Sequence, residues 1–115
     1  MTVHGMGKSP ADTTITGLTA TDGGKDPSVG ALCNFWRGAE NLRVFPDADK
    51  FIWAVSQASP LRRMIVDGNM DLYQYVPPYI MAGYASGGYM SDMTINGVLT
   101  SGSQQQFFTR NSKVD

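Results

Sequence analysis

The stretch from residue 51 to residue 111 contains FIWAVSQASPLRRMIVDG (51–68), YASGGYMSDMTING (84–97) and SGSQQQFFTRN (101–111). Each of these segments is a short β-type run that closes on a corner of polar residues and glycine. A corner that recurs along a chain indicates one structural unit repeating along an axis.

Three of the corners fit one template, and a fourth copy lacks the glycine. These are Ile15-Thr16-Gly17-Leu18, Ile65-Val66-Asp67-Gly68, Ile95-Asn96-Gly97-Val98 and, as the fourth copy, Asn41-Leu42-Arg43-Val44. The steps from Ile15 to Val44, to Ile65 and to Ile95 are 29, 21 and 30 residues. Spacings of about 20 to 30 residues, built from strands, are typical of one coil of a β-solenoid. We therefore predict an all-β solenoid segment of about four to five coils.

The chain of 115 residues is predicted to form one such unit over 1–115, with a flexible, Gly-rich N-terminal lead-in at 1–12. Each coil of a solenoid contacts only its neighbours, so the two end coils expose strand edges unless a cap covers them. No capping pattern is visible at 111–115. We expect the segment to belong to a longer chain and to self-associate through its uncapped coil ends.

Charge and hydropathy exclude several classes of partner. Nine basic and ten acidic residues give a net charge of −1 without clustering, which argues against nucleic acid and anionic membranes as partners. No apolar run approaches the roughly 18 residues of a membrane span, and the N-terminus lacks the pattern of a signal peptide. Cys33 is the only cysteine, so no internal disulfide is possible.

Cofactor and metal motifs are also missing from the sequence. The segment HGMGKS (4–9) imitates the end of a phosphate-binding loop, but the first glycine of that motif would fall at Thr2. His4 is the only histidine, which leaves no histidine-based metal site. We predict neither a cofactor nor a metal.

Four motifs in order carry a family resemblance: NFWRGAEN (34–41), WAVSQASPLRR (53–63), YASGGYMSD (84–92) and SGSQQQFFTRN (101–111). From about Cys33 to Asn111 the chain resembles secreted microbial proteins with a right-handed parallel β-helix. These are similar to the pectate-lyase-like and exo-β-1,3-glucanase-like families. The resemblance implies a right-handed β-helix and a secreted protein that acts on polysaccharide, as a glycoside hydrolase if the parent chain is catalytic.

Two other interpretations stay open. One is a non-catalytic β-solenoid module that binds glycans or assembles end to end. The other is a fragment of a viral jelly-roll coat protein, because NFWRG (34–38) also resembles picorna-like coat proteins.

Glycoside hydrolysis uses two carboxyl groups, about 5 Å apart for retention and roughly 6.5–9.5 Å apart for inversion. Stacked strands lie about 4.8 Å apart, so carboxylates from neighbouring coils can meet either distance. The catalytic candidates are Asp92, which follows Ser91 after a Gly-rich segment, and then Asp67 and Glu40. Asp67 has a structural alternative, since Thr16, Asp67 and Asn96 share the slot before the corner and can form a polar ladder.

Sugar binding uses aromatic faces for the pyranose ring and planar polar groups for its hydroxyls. The predicted contacts to polysaccharide or oligosaccharide are Trp36, Arg37, Gln57, Arg62, Gln105 and Arg110. Trp53 lies inside the apolar run FIWAV (51–55) and is predicted to fill the core instead, as are most of the seven methionines.

Overall fold

The computed structural model describes residues 2–21, 37–46, 50–56, 59–76, 81–82, 88–102 and 107–114. Within these ranges almost all regular structure is short strand, and the only helical element is a 3₁₀ turn at Pro10–Asp12. None of the described helical structure is long and apolar enough to cross a membrane.

The strands form three parallel sheets. The first sheet contains, in spatial order, β1 (Thr2–His4), β3 (Gly38–Glu40), β6 (Pro60–Arg62), β11 (Tyr89–Ser91) and β14 (Phe108–Arg110). The second contains β2 (Thr14–Thr16), β4 (Arg43–Phe45), β7 (Ile65–Val66), β12 (Thr94–Ile95) and β15 (Lys113–Val114). The third contains β5 (Lys50–Ile52), β8 (Asn69–Asp71) and β13 (Leu99–Thr100). A small antiparallel pair joins β9 (Tyr75–Val76) to β10 (Met81–Ala82).

The chain winds from the first sheet through the second to the third and then returns to the first. Consecutive turns place their strands side by side, and all pairs within the three sheets are parallel. This winding confirms the predicted all-β parallel β-helix. We number the levels of the stack 1 to 5 by the strands of the first sheet.

The register of the second sheet corrects one predicted alignment. Ile15 pairs with Val44, Val44 with Val66, and Val66 with Ile95. The predicted template used Ile65 in place of Val66, which is wrong by one residue. Val66 is fully buried whereas Ile65 is only partly buried. A shift of one residue moves a side chain to the opposite face of a strand, so burial decides the register.

The corner glycines have a steric reason. Gly17 has φ +82°, a conformation that side-chain-bearing residues rarely adopt. A Cβ atom added at Gly97 would lie 2.4 Å from the carbonyl oxygen of Gly68 on the neighbouring level. The stacked corners therefore need glycine for close backbone approach.

Inward residues from the inner strands of the three sheets fill the interior of the helix. Buried columns run through Ala39, Leu61, Met90 in the first sheet, Val44, Val66, Ile95 in the second and Phe51, Met70 in the third. The core also contains Met64 and Met93, which supports the prediction that methionines fill it. Trp53 is 2% exposed, and its indole N–H donates to the carbonyl oxygen of Ser59 at 3.2 Å. Its predicted core role is confirmed.

Residues 2–12, within the predicted lead-in, contain a short strand and a 3₁₀ turn. Thr2–His4 is a strand of the first sheet, and the backbone N–H of Gly5 donates to the carbonyl oxygen of Glu40 at 3.0 Å. The amide of Asn41 donates to the carbonyl oxygens of Gly5 and Gly7 at 3.0 and 2.8 Å. A three-residue strand shows no periodicity, and its partners lie more than thirty residues later, so local sequence could not reveal it.

The outer strands of the stack carry exposed apolar side chains. At the edge formed by β14 and β15, Phe108 and Val114 are 59% and 45% exposed. Exposed strand edges favour pairing with another chain. Self-association through these ends stays a prediction.

Candidate functional site

The outward face of the first sheet, here called the outer face, brings several predicted site residues together. In each three-residue strand the middle residue points inward and its two neighbours point outward. The last residues of the strands form a column across the five levels: His4, Glu40, Arg62, Ser91 and Arg110. Glu40, Arg62 and Arg110 were predicted from sequence, and Asp92 follows this column directly.

A cleft of about 340 Å³ lies on the outer face at levels 3 to 5. We call it the outer-face cleft. Its lining residues are Arg62, Tyr89, Ser91, Asp92, Arg110 and Asn111. Ser91 lies between the two arginines in register and is only 4% exposed, so it forms the floor.

One wall of the cleft is aromatic. The rings of Tyr89 and Phe108 stack with centroids 5.6 Å apart and planes 2° from parallel. Tyr89 therefore has one ring face covered by Phe108. A sugar in the cleft contacts the edge of this ring and its hydroxyl more readily than that face.

Asp92 occupies the corner between the first and second sheets. Its φ is +52°, and the equivalent residues Asn41, Arg63 and Asn111 have φ of +57°, +51° and +49°. The backbone N–H groups of Asn41, Arg63 and Asp92 each donate at 3.0 Å to a carbonyl oxygen on the next level. Asparagine and aspartate tolerate this left-handed conformation better than most residues. The corner alone thus accounts for an aspartate at position 92, and its catalytic role stays a prediction.

Glu40 shares the outer face with Asp92 but has partners of its own. Its carboxylate lies 2.5 Å from His4 Nδ1 and 3.9 Å from Arg62 Nη1. Glu40 belongs to level 2 and Asp92 to level 4, which separates their backbones by about 10 Å along the axis. These two predicted carboxylates therefore lie on one face, two levels apart.

Asp67 lies elsewhere, at the corner between the second and third sheets. It forms an ion pair with Arg43, and Asn96 Nδ2 donates to its Oδ1 at 2.9 Å. The hydrogen bond from the Arg43 guanidinium, followed by that from the Asn96 amide, lowers the pKa of Asp67. The predicted polar ladder is present between Asp67 and Asn96, and the second sheet separates Asp67 from the outer-face cleft.

The ion pair of Asp67 predicts a pH dependence of stability. Because the folded-state pKa of Asp67 is lowered, its contribution is complete above the unfolded pKa near 3.8 and is lost as pH falls through the folded value. The Asp67→Asn variant should be less stable than the natural protein at pH 7, and the difference should vanish as pH falls below the lowered folded-state pKa of Asp67. The effect is modest because the Arg43 side chain is 37% exposed and screened by solvent. Thermal melting of both proteins between pH 7 and pH 2.5 measures it, and a constant difference would contradict it.

Of the remaining predicted contacts, Arg37 directly precedes the first-sheet strand β3. Its backbone N–H donates to Ser59 Oγ at 3.2 Å, and it lines a small crevice beside Trp53. Trp36, Gln57 and Gln105 lie outside the described residues. In chain order all four belong to connections that leave the third sheet and enter the first.

The structure also places together two charged residues that sequence reasoning missed. Lys50 Nζ lies 2.9 Å from Asp71 Oδ2, and the Asp71 side chain is 3% exposed. The two charged groups lie within ion-pair distance, but the geometry at Asp71 Oδ2 is not that of a hydrogen bond. Asp71 is the last residue of β8. Only the register, which pairs β5 with β8, could have revealed this contact.

Metal-binding groups are not assembled in this part of the chain. Within the described ranges, no cluster of three or more histidine, cysteine, aspartate or glutamate side chains could hold an ion.

Comparison with known proteins gives close relatives but no family model that matches. The sequence is 45% identical over 112 residues to an exo-β-1,3-glucanase from Streptomyces sp. (strain SirexAA-E / ActE), an alignment covering 97% of this chain and 18% of the glucanase. The structure of sacteLam55A from Streptomyces sp. SirexAA-E matches with a TM-score of 0.81 at 43% identity. The chain has the fold of one segment of that structure.

That match covers 98% of this chain and 20% of the solved one. A variant of the same Streptomyces protein in complex with glucose matches equally well, over 98% of this chain and 19% of that one. The chain thus spans about a fifth of the length of these relatives. The similarity supports the predicted relation to glucanase-like proteins.

Proposed function

We propose that this chain is a segment of a secreted glycoside hydrolase that acts on β-1,3-glucan. The observation that carries the proposal is the 45% identity, over 97% of the chain, to an exo-β-1,3-glucanase. The backbone of the chain also matches that of sacteLam55A, with a TM-score of 0.81. The segment would supply part of the glycan-contacting surface of the whole enzyme.

Two regions support a role in contacting sugar. The outer-face cleft offers guanidinium donors from Arg62 and Arg110 and a carboxylate acceptor from Asp92. In the connections from the third sheet to the first, Arg37 lines a crevice beside Trp53, and the sequence adds the predicted contacts Trp36, Gln57 and Gln105. Among the predicted carboxylates, Asp92 is the proposed acid or base, because Glu40 and Asp67 are engaged in ion pairs.

Hydrolysis of defined glucans tests the proposal. The full-length protein that contains this segment is expected to release glucose from linear β-1,3-glucan and to leave β-1,4-glucan of similar length intact, with secretion checked by finding the protein in the culture medium. If the folded full-length protein releases no sugar from β-1,3-glucan, the proposed hydrolase function is contradicted.

A second candidate is glycan binding without hydrolysis. It is favoured by the fact that, of the three predicted carboxylates, only Asp92 lines the outer-face cleft. Retardation of the protein in a gel that contains β-1,3-glucan, without release of sugar, would select this function.

A further inference from the structure

The two arginines of the outer-face cleft are spaced so that they can flank a charged group of a ligand. Arg62, Ser91 and Arg110 occupy equivalent positions in three neighbouring strands. Strands lie about 4.8 Å apart, so the two arginine backbones are about 10 Å apart with the short Ser91 between them. Two long cationic side chains therefore flank a hydroxyl on a recessed floor.

The charges of these arginines are only partly balanced. Within the described residues Arg110 forms no ion pair, and Arg62 has only Glu40 at 3.9 Å. Glu40 is closer to His4, at 2.5 Å. Asp92 contributes one negative charge from the corner side of the cleft. Among the six residues that line the cleft, two arginines face one aspartate, which gives the lining a net charge of +1.

We propose that the outer-face cleft binds a sugar that carries an anionic group, either a uronate carboxylate or a sulfate ester. Guanidinium groups bind such oxyanions through paired, charge-assisted hydrogen bonds, and the Ser91 hydroxyl can donate a further one. Asp92 and Asn111, on the other side, accept hydrogen bonds from sugar hydroxyls. The cleft volume is at the lower end of the range for small-molecule sites, which suits a single sugar residue.

Other ligand classes fit the cleft less well. A neutral sugar leaves Arg110 without a counter-charge, and a bare inorganic anion leaves Asp92 and Asn111 without a hydroxyl partner. The inference goes beyond the proposed function, because β-1,3-glucan is neutral. It concerns binding alone, so hydrolysis and this site can fail independently.

Calorimetric titration of the natural protein with four probes tests the site: methyl glucuronide, glucose 6-sulfate, methyl glucoside and inorganic sulfate. We expect both anionic sugars to bind about tenfold or more tighter than methyl glucoside and than inorganic sulfate. Raising the salt concentration should weaken their binding. Equal affinity for glucuronide and glucoside, or for glucuronide and inorganic sulfate, would overturn the proposal.

Arginine variants locate the binding. Arg110→Gln and Arg62→Gln should each weaken glucuronide binding by about tenfold or more. The matched control is Arg63→Gln, because Arg63 is adjacent in sequence, donates to the carbonyl oxygen of Lys8 and does not line the cleft. It should change affinity less than about twofold. Melting temperatures of all three verify folding, and equal losses in all three variants, or no loss in the first two, would contradict the site.

Discussion

The Val66→Asp variant is expected to be strongly destabilised, with a loss of about 4 kcal/mol or more in the free energy of unfolding. Val66 is fully buried between Val44 and Ile95 in the inward column of the second sheet. An aspartate there has no cationic partner in the apolar interior. Because small domains are stable by only about 5–15 kcal/mol, such a loss removes between about a quarter and four fifths of the free energy of unfolding. Denaturant unfolding followed by tryptophan fluorescence measures it.

Ile65→Asp is the matched control, since it introduces the same charge at the next position. Ile65 lies on the outward face between Arg43 and Thr94, where a carboxylate can remain hydrated. We expect a loss of about 1 kcal/mol. Equal destabilisation by the two variants, or a larger effect at Ile65, would mean that the second sheet has a different register.

Asp92→Asn is expected to lower β-1,3-glucan hydrolysis by the natural protein about 100-fold or more, if Asp92 supplies general acid or base catalysis. The change keeps the shape of the side chain and removes its ionisable group. It should leave the melting temperature unchanged, because Asn41 and Asn111 already occupy equivalent corners with φ of +57° and +49°. Initial rates of glucose release, with melting curves of the same samples, measure both effects.

The other carboxylates sharpen the interpretation. Glu40→Gln should also reduce hydrolysis if the two groups act as a pair on the outer face, and Asp67→Asn should have the smaller effect because Asp67 lies at the opposite edge of the second sheet. Full hydrolysis by Asp92→Asn would show that Asp92 serves only as a corner residue.

Much of the fold could be predicted from local patterns. Corner residues recur every 20 to 30 positions because each turn of the helix must bend at the same places, and this recurrence predicts stacked strands. Trp53 could be placed in the core because it lies in an apolar run, and it is 2% exposed. The Asp67–Asn96 contact followed from their shared slot before the corner glycine.

The one-residue error at Ile65 shows where pattern reading fails. Ile65 and Val66 are both β-branched and apolar, so composition does not distinguish the inward one. The backbone pairing with Val44 and Ile95 makes the distinction. The N-terminal strand was missed for a related reason. Three residues are too few to show the alternation of apolar and polar residues, and their partners lie far along the chain.

The sequence by itself determined that the chain forms short strands joined by tight corners, and it supplied the residue types that a glycan-contacting surface needs. Tertiary structure alone decided which of these residues meet: Arg62 with Arg110 across Ser91, Lys50 with Asp71, and Asp92 at a left-handed corner. The physical reason is that strand propensity and corner geometry depend on adjacent residues. Contacts across the stack instead depend on the register between strands about 20 to 30 residues apart, which packing of the buried columns sets.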